Sequence, residues 1–304
     1  MSGRDTFQPN PETRFASKAG RHAAAAQYSL GKNRLLALLP AEDYERLWPA
    51  LELIPLPRAW PVRRASEQGK YLYFPTAGIV STSYVAANGA STEISITGNE
   101  GAIGIASILG GESMPTQAVV LSAGYAYRLG AEQLKSELKR HYSLLQVLLR
   151  YIQALIVQTG QAAVCNRHHS VEQQLCRCIL SWLDRLPSND LLMTQELIAH
   201  TLGVRRESVT EVAGRLQAAG LIRYTRGHIT VLDRPRLETQ ACECHRVVKR
   251  EYERLLPPEN TVGNAGSGNI SQGRSRASGN GGDGVSSNCK EYLTPPKVSN
   301  MMCC

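Results

Sequence analysis

Residues 194–220, Thr-Gln-Glu-Leu-Ile-Ala-His-Thr-Leu-Gly-Val-Arg-Arg-Glu-Ser-Val-Thr-Glu-Val-Ala-Gly-Arg-Leu-Gln-Ala-Ala-Gly, carry the clearest chemistry in this chain. Thr194 is a hydroxyl residue placed to accept an orphan backbone N–H at a helix start. Gly203 stands where a left-handed residue would end that helix. A second apolar-periodic stretch then opens on Arg205, Arg206 and Glu207. Ala199, Leu202, Val209 and Leu216 are spaced to pack the two helices together. This pattern predicts a helix-turn-helix, whose second helix enters a DNA major groove by its N-terminal residues. From the first turn, Arg206 reaches two acceptors on guanine and Glu207 accepts from cytosine. Ser208 and Glu211 are read on the same outward face, making four candidate base readers. Thr194, Gln195 and Arg205 suit phosphate oxygens. So do Arg226 and His228 in "LIRYTRGHITVLD" (221–233), which predicts a two-stranded wing around Arg226-Gly227.

Other elements must hold this reader. "SVEQQLCRCILSWLDRL" (170–186) predicts an amphipathic helix with Ser170 as cap and Gln173 three residues on. Residues 131–164 carry Leu134, Leu138, His141, Leu145, Leu148, Ile152, Leu155 and Thr159 at alternating spacings of four and three. That seam predicts a long helix pairing with a second copy, with Leu134, Leu138, Leu145, Leu148, Ile152 and Leu155 at the contact. Between Glu52 and Leu129 the texture is β-rich and broken by glycine, with a hairpin signal at Asn88-Gly89. There Ile94 and Ile96 alternate with polar residues, as in a half-buried strand. The expected class is α+β: a β-roll or jelly-roll sensor at 31–130, a dimerisation helix at 131–164 and a winged helix-turn-helix at 165–256. Residues 1–30 and 257–304 are too polar and Gly/Ser-rich to offset ordering entropy and are expected to be disordered.

The 304 residues carry a formal charge of +8, which suits a polyanionic partner. No run approaches the roughly 18 apolar residues of a membrane helix. The first residues lack the apolar region of a secretory signal. The expectation is therefore a cytoplasmic protein with reduced cysteines and no membrane partner.

The stretch from Thr194 to Asp233, with the β-rich region, long helix and "CNRHHSVEQQLC" before it, resembles the Crp/Fnr family of bacterial transcription regulators over about residues 31–255. The resemblance implies a cyclic-nucleotide-binding-like β-roll, a homodimer, double-stranded DNA with a pseudo-palindromic site as target, and RNA polymerase as a further partner. Better-known members carry a second arginine in the recognition helix where Glu211 stands here. Members that bind cyclic nucleotide hold its phosphate with an arginine and its ribose with a glutamate. The positions read as matching are Thr116 and Ala102, and no arginine lies between Arg64 and Arg128. Cyclic AMP is thus not the expected effector.

The β-region also contains no cysteine and no histidine, which disfavours iron–sulfur, haem or a jelly-roll metalloenzyme. Cys242-x-Cys244-His245 is the strongest metal motif. On a continuous helix, however, residues two apart point about 200° apart, so no metal or cofactor is expected. Cys176 and Cys178 meet the same objection, and His168-His169 reads as packing or capping. A cyclic-nucleotide effector protein and a jelly-roll enzyme remain as alternatives to the regulator.

Overall fold

The computed structural model describes residues 33–140 and 142–257. The arm before residue 33, the tail beyond residue 257, His141, and Cys289, Cys303 and Cys304 lie outside them. Two short helices, α1 (Arg34–Ala37) and α2 (Ala41–Leu47), open the described chain. Asn33 caps α1 through its side-chain oxygen, while its amide nitrogen donates to the carbonyls of Pro75 (2.8 Å) and Gly101 (3.0 Å).

The β-rich region forms five antiparallel strands: β1 (Glu52–Leu56), β2 (Pro61–Arg63), β3 (Tyr71–Val85), β4 (Ser91–Thr97) and β5 (Thr116–Gly130). They run in the order β1-β5-β3-β4, with β2 also on β5. The Asn88-Gly89 turn is present, within a loop of residues 86–90 rather than a two-residue link. The short helix α3 (Ala106–Leu109) joins β4 to β5.

The predicted alternation along β4 does not hold. Ser95, Ile96 and Thr97 are all buried. The reason is a helix laid across the strand. Gln158 donates to the Ile96 carbonyl at 3.2 Å, and Tyr151 sits 3.4 Å from the Thr97 hydroxyl while donating to the Ala102 carbonyl at 2.8 Å. Gly101 makes this approach possible, since a Cβ there would meet the Tyr151 ring at 2.5 Å.

The long helical pattern forms α4 (Ala131–Arg140) and α5 (Tyr142–His168), the latter running past residue 164. Leu134 and Leu148 are fully buried within the single chain, in one core with Leu35, Phe74 and Tyr127. They are core residues and are not available to a second copy. Leu138 and Leu155 pack against the same core. The apolar residues that α5 leaves exposed are Tyr142 (71%), Leu149 (46%), Ile156 (66%) and Val164 (44%). Burial by the chain's own β-roll and helices has rotated the free stripe away from the predicted seam.

The C-terminal part is α6 (Val171–Leu183), β6 (Asp190–Leu192), α7 (Gln195–Leu202), α8 (Arg206–Ala218), β7 (Ile222–Thr225), β8 (His228–Val231), α9 (Arg234–Gln240) and α10 (Glu243–Leu255). Ser170 and Gln173 form the predicted capping box on α6. The sheet order is β6-β8-β7. Its core takes in Ile79 and Ile96 of the β-roll, so the two parts share packing.

Candidate nucleic-acid interface

Short-range forces build the turn between α7 and α8. The Thr194 hydroxyl accepts from the Leu197 N–H at 3.1 Å, tying down the start of α7. Gly203 ends α7 at φ 67°, ψ 32°, a left-handed conformation that an L side chain resists. Ala199, Leu202, Val209 and Leu216 are buried together as the spacing predicted. Helix α8 therefore starts at Arg206 with Arg205 as its N-cap residue. The wing turns at Arg226 (φ 49°) and Gly227 (φ 83°), both left-handed as a two-residue hairpin turn demands.

An open groove results, lined by Thr194, Gln195 and Glu196 of α7, Arg206 of α8, and Tyr224, Arg226 and Gly227 of the wing. Four of the predicted contact residues, Thr194, Gln195, Arg206 and Arg226, thus meet in one concavity. Its dipole is favourable to anions, because the N-termini of both helices open near it. Thr210 donates to the Gln195 side chain at 2.9 Å and links the two helices across the groove. Tyr224 donates to the Met193 carbonyl at 3.1 Å and fixes the wing against the approach to α7. Sequence reasoning passed over Glu196, Thr210 and Tyr224, whose roles depend on the neighbouring element.

Arg205, Glu207 and His228 are exposed but do not line the groove. Ser208 is half-buried beside the core residue Val209. Glu211 is exposed and held by Arg215 at 2.7 Å, which in turn contacts Glu172 of α6 at 2.9 Å. The Glu211 carboxylate is thus already engaged within the protein.

Residues 173–240 match the Crp-like helix-turn-helix domain, and residues 56–141 match the cyclic nucleotide-binding domain. The chain belongs to the Crp/Fnr family. It is a DNA-binding transcription regulator of that type, in a family of regulators rather than enzymes. Its fold is similar to FixK2 from Bradyrhizobium japonicum, with TM-score 0.56 at 14% identity over 63% of this chain and 98% of that one. It is also similar to CLP, the c-di-GMP responsive global regulator of Xanthomonas campestris (0.54, 17%, covering 64% and 100%). A third likeness is to a CRP/FNR-family transcriptional regulator from Thermus thermophilus (0.53, 20%, covering 62% and 98%). At these identities the likeness is one of fold. No curated protein sequence matches the chain.

The sensor half of this Crp/Fnr regulator departs from the expected reading in two places. The turn into α3 falls at Gly104-Ile105, with Gly104 at φ 103° and Ile105 as the N-cap residue. Ala102, the position read from the sequence, lies before that turn and is buried under Tyr151. Neither Ala102 nor Ile105 offers a carboxylate. A buried arginine does reach Thr116, from just outside the arginine-free span between Arg64 and Arg128. Arg63 on β2 donates to the Thr116 hydroxyl at 2.6 Å and to the Met114 carbonyl at 3.0 Å. It borders an open cavity of about 550 Å³ that also carries Arg58, Arg64, Lys70, Trp60 and Tyr73.

The two halves meet at a buried ion pair. Arg185, following α6, donates to Glu100 of the β-roll at 2.7 Å, with side chains only 9% and 7% exposed. Nearby, burial opposes ionisation of Asp184, but hydrogen bonds from His245 and Arg234 hold it down to about 2. His245 is thus committed to Asp184, at 2.8 Å, and not to the cysteines beside it in sequence.

Proposed function

We propose that this regulator acts as a homodimer on pseudo-palindromic DNA, with the N-terminal turn of α8 in the major groove. The convergence of Thr194, Gln195, Arg206 and Arg226 in one groove carries this reading. Arg206 and Glu207 read base edges, with Ser208 beside them. Glu211 joins them only when Arg215 releases it. Thr194, Gln195, Arg205, Arg226 and His228 hold phosphates. The dimer forms through the exposed stripe Tyr142, Leu149 and Ile156, whose seven-residue spacing suits a two-helix seam, flanked by the half-buried Leu145, while Ile152 of the predicted seam is buried within the single chain. This places the two recognition helices about one DNA turn, about 34 Å, apart. RNA polymerase is the further partner and the cytoplasm the place of action.

The effector is not cyclic AMP in this reading, because the turn at Gly104-Ile105 has no carboxylate for a ribose. Arg63 and the cations around it suit an anion of another shape.

Binding-site selection tests the DNA reading. Arg206→Ala is expected to cost about 1–3 kcal/mol and to relax preference at one base pair per half-site. Arg226→Ala is expected to weaken all sequences alike and to lower the salt slope by about one contact per subunit. Equal losses on selected and random DNA for both variants, with no position relaxed, would overturn it. Joint Leu149→Lys and Ile156→Lys substitution is expected to give monomers in sedimentation. A persisting dimer would place the interface elsewhere.

A further inference from the structure

Three cysteines and a histidine from two distant stretches come together where α5 passes into α6. Cys165 and His169 lie one turn apart at the end of α5, whose last residue is His168. Cys242 is the N-cap residue of α10, in extended conformation (φ −71°, ψ 163°), and Cys244 lies in the first turn. The objection to a Cys-x-Cys pair on a continuous helix therefore falls away, because the helix begins between the two residues.

The Sγ atoms of Cys165 and Cys242 are 3.5 Å apart, and Cys244 Sγ lies 3.6 Å from His169 Nδ1. All four donor atoms fall within 4.8 Å of one another. A tetrahedral zinc ion, with bonds of about 2.3 Å to sulfur and about 2.0–2.1 Å to nitrogen, separates its donors by about 3.5–3.8 Å. The three cysteines are buried, at 0%, 4% and 0% exposure in chain order.

The surroundings fit a metal as well. The other ring nitrogen of His169, Nε2, faces Glu243 Oε1 at 3.3 Å. A carboxylate in that position orients a metal-bound imidazole and fixes its tautomer. Gln174 donates to the His169 carbonyl at 2.9 Å and steadies the same turn. Arg177 of α6 places its positive charge beside Cys165. Three thiolates around a divalent ion carry a net negative charge, which a buried cation offsets.

We propose that Cys165, His169, Cys242 and Cys244 form a closed Cys3His site for one zinc ion. Thiolate and imidazole donors exclude magnesium and calcium, which take oxygen. Four protein donors leave no open position, so the ion is structural. It clamps the end of α5 to the joint between α9 and α10, across the short passage from α5 into α6. On binding, the thiols release their protons. The site stands independently of how α8 reads DNA.

The test uses the full chain, purified reduced and without chelator. Elemental analysis is expected to find about one zinc per chain. Cys244→Ser and His169→Ala are expected to lose it, while Cys176→Ser, outside the cluster, keeps it. Glu243→Gln is expected to weaken zinc affinity by about 10–100-fold. Since ligand variants could misfold, the wild-type chain is also stripped with chelator and titrated. Zinc should raise its melting temperature and shield three thiols from alkylation, magnesium should do neither, and cobalt(II) should give the visible bands of a tetrahedral thiolate site. The proposal is overturned if the stripped, folded chain takes up no zinc. It is also overturned by an iron–sulfur chromophore, by a Cys165–Cys242 disulfide in the purified protein, or by full zinc retention in Cys244→Ser.

Discussion

The groove between α7, α8 and the wing and the junction behind it use charge in opposite ways. Arg206 and Arg226 stand exposed at the groove and open to solvent. At the junction, Glu100 and Arg185 are out of water and satisfied by one another. The Asp184, His245 and Arg234 set lies close by, linking α6 to α9 and α10. An exposed charge costs little to keep and little to lose, so its worth is seen only on binding. A buried charge is expensive without its partner, so its worth is seen in folding. The groove's charges are thus open to a binding partner, while the junction ties the β-roll to the C-terminal part.

The largest expected effect follows from breaking the junction. Arg185→Met leaves Glu100 buried and unpaired, and is expected to lose about 3–5 kcal/mol in denaturant unfolding. Adding Glu100→Gln should recover part of that loss. Arg206→Ala should shift the same unfolding curve by no more than about 0.5 kcal/mol. If the two single variants destabilise alike, the contrast between the regions is wrong.

Acid unfolding sharpens the comparison. Asp184 is held below its ordinary value in the folded chain, so its contribution is complete above about pH 4 and fades as pH falls toward about 2. Asp184→Asn is expected to flatten the stability curve over that interval and to lower stability at neutral pH. An unchanged acid limb would show that other carboxylates dominate it.

An effect of opposite sign is expected at Glu93 on β4. Burial pushes it up to about 7, against a hydrogen bond from the Ser81 hydroxyl at 2.6 Å. A carboxyl raised in the folded state destabilises fully above its folded value, and that penalty vanishes below its unfolded one. Glu93→Gln is therefore expected to raise the melting temperature at pH 8 and to change it little at pH 5. Equal shifts at both values would remove titration as the cause.

What could be read from residue order alone was what neighbours in the chain decide. The caps at Thr194 and Ser170, the left-handed Gly203, the Arg226-Gly227 wing and the apolar periods of α7 and α8 are all settled within a few turns of helix or one hairpin. Backbone hydrogen bonds and allowed φ values are local, so the reading head was legible almost residue by residue. Tertiary packing decided the rest. Arg63 meets Thr116 across 53 residues, Cys165 meets Cys242 across 77, and Glu100 meets Arg185 across 85. The same holds for α4 and α5, whose apolar residues occupy more than one face. Periodicity identifies those faces but not which one the β-roll will cover. That choice buried Leu134 and Leu148 and left Leu149 and Ile156 exposed, because burial is a property of the folded surface and not of spacing along one helix.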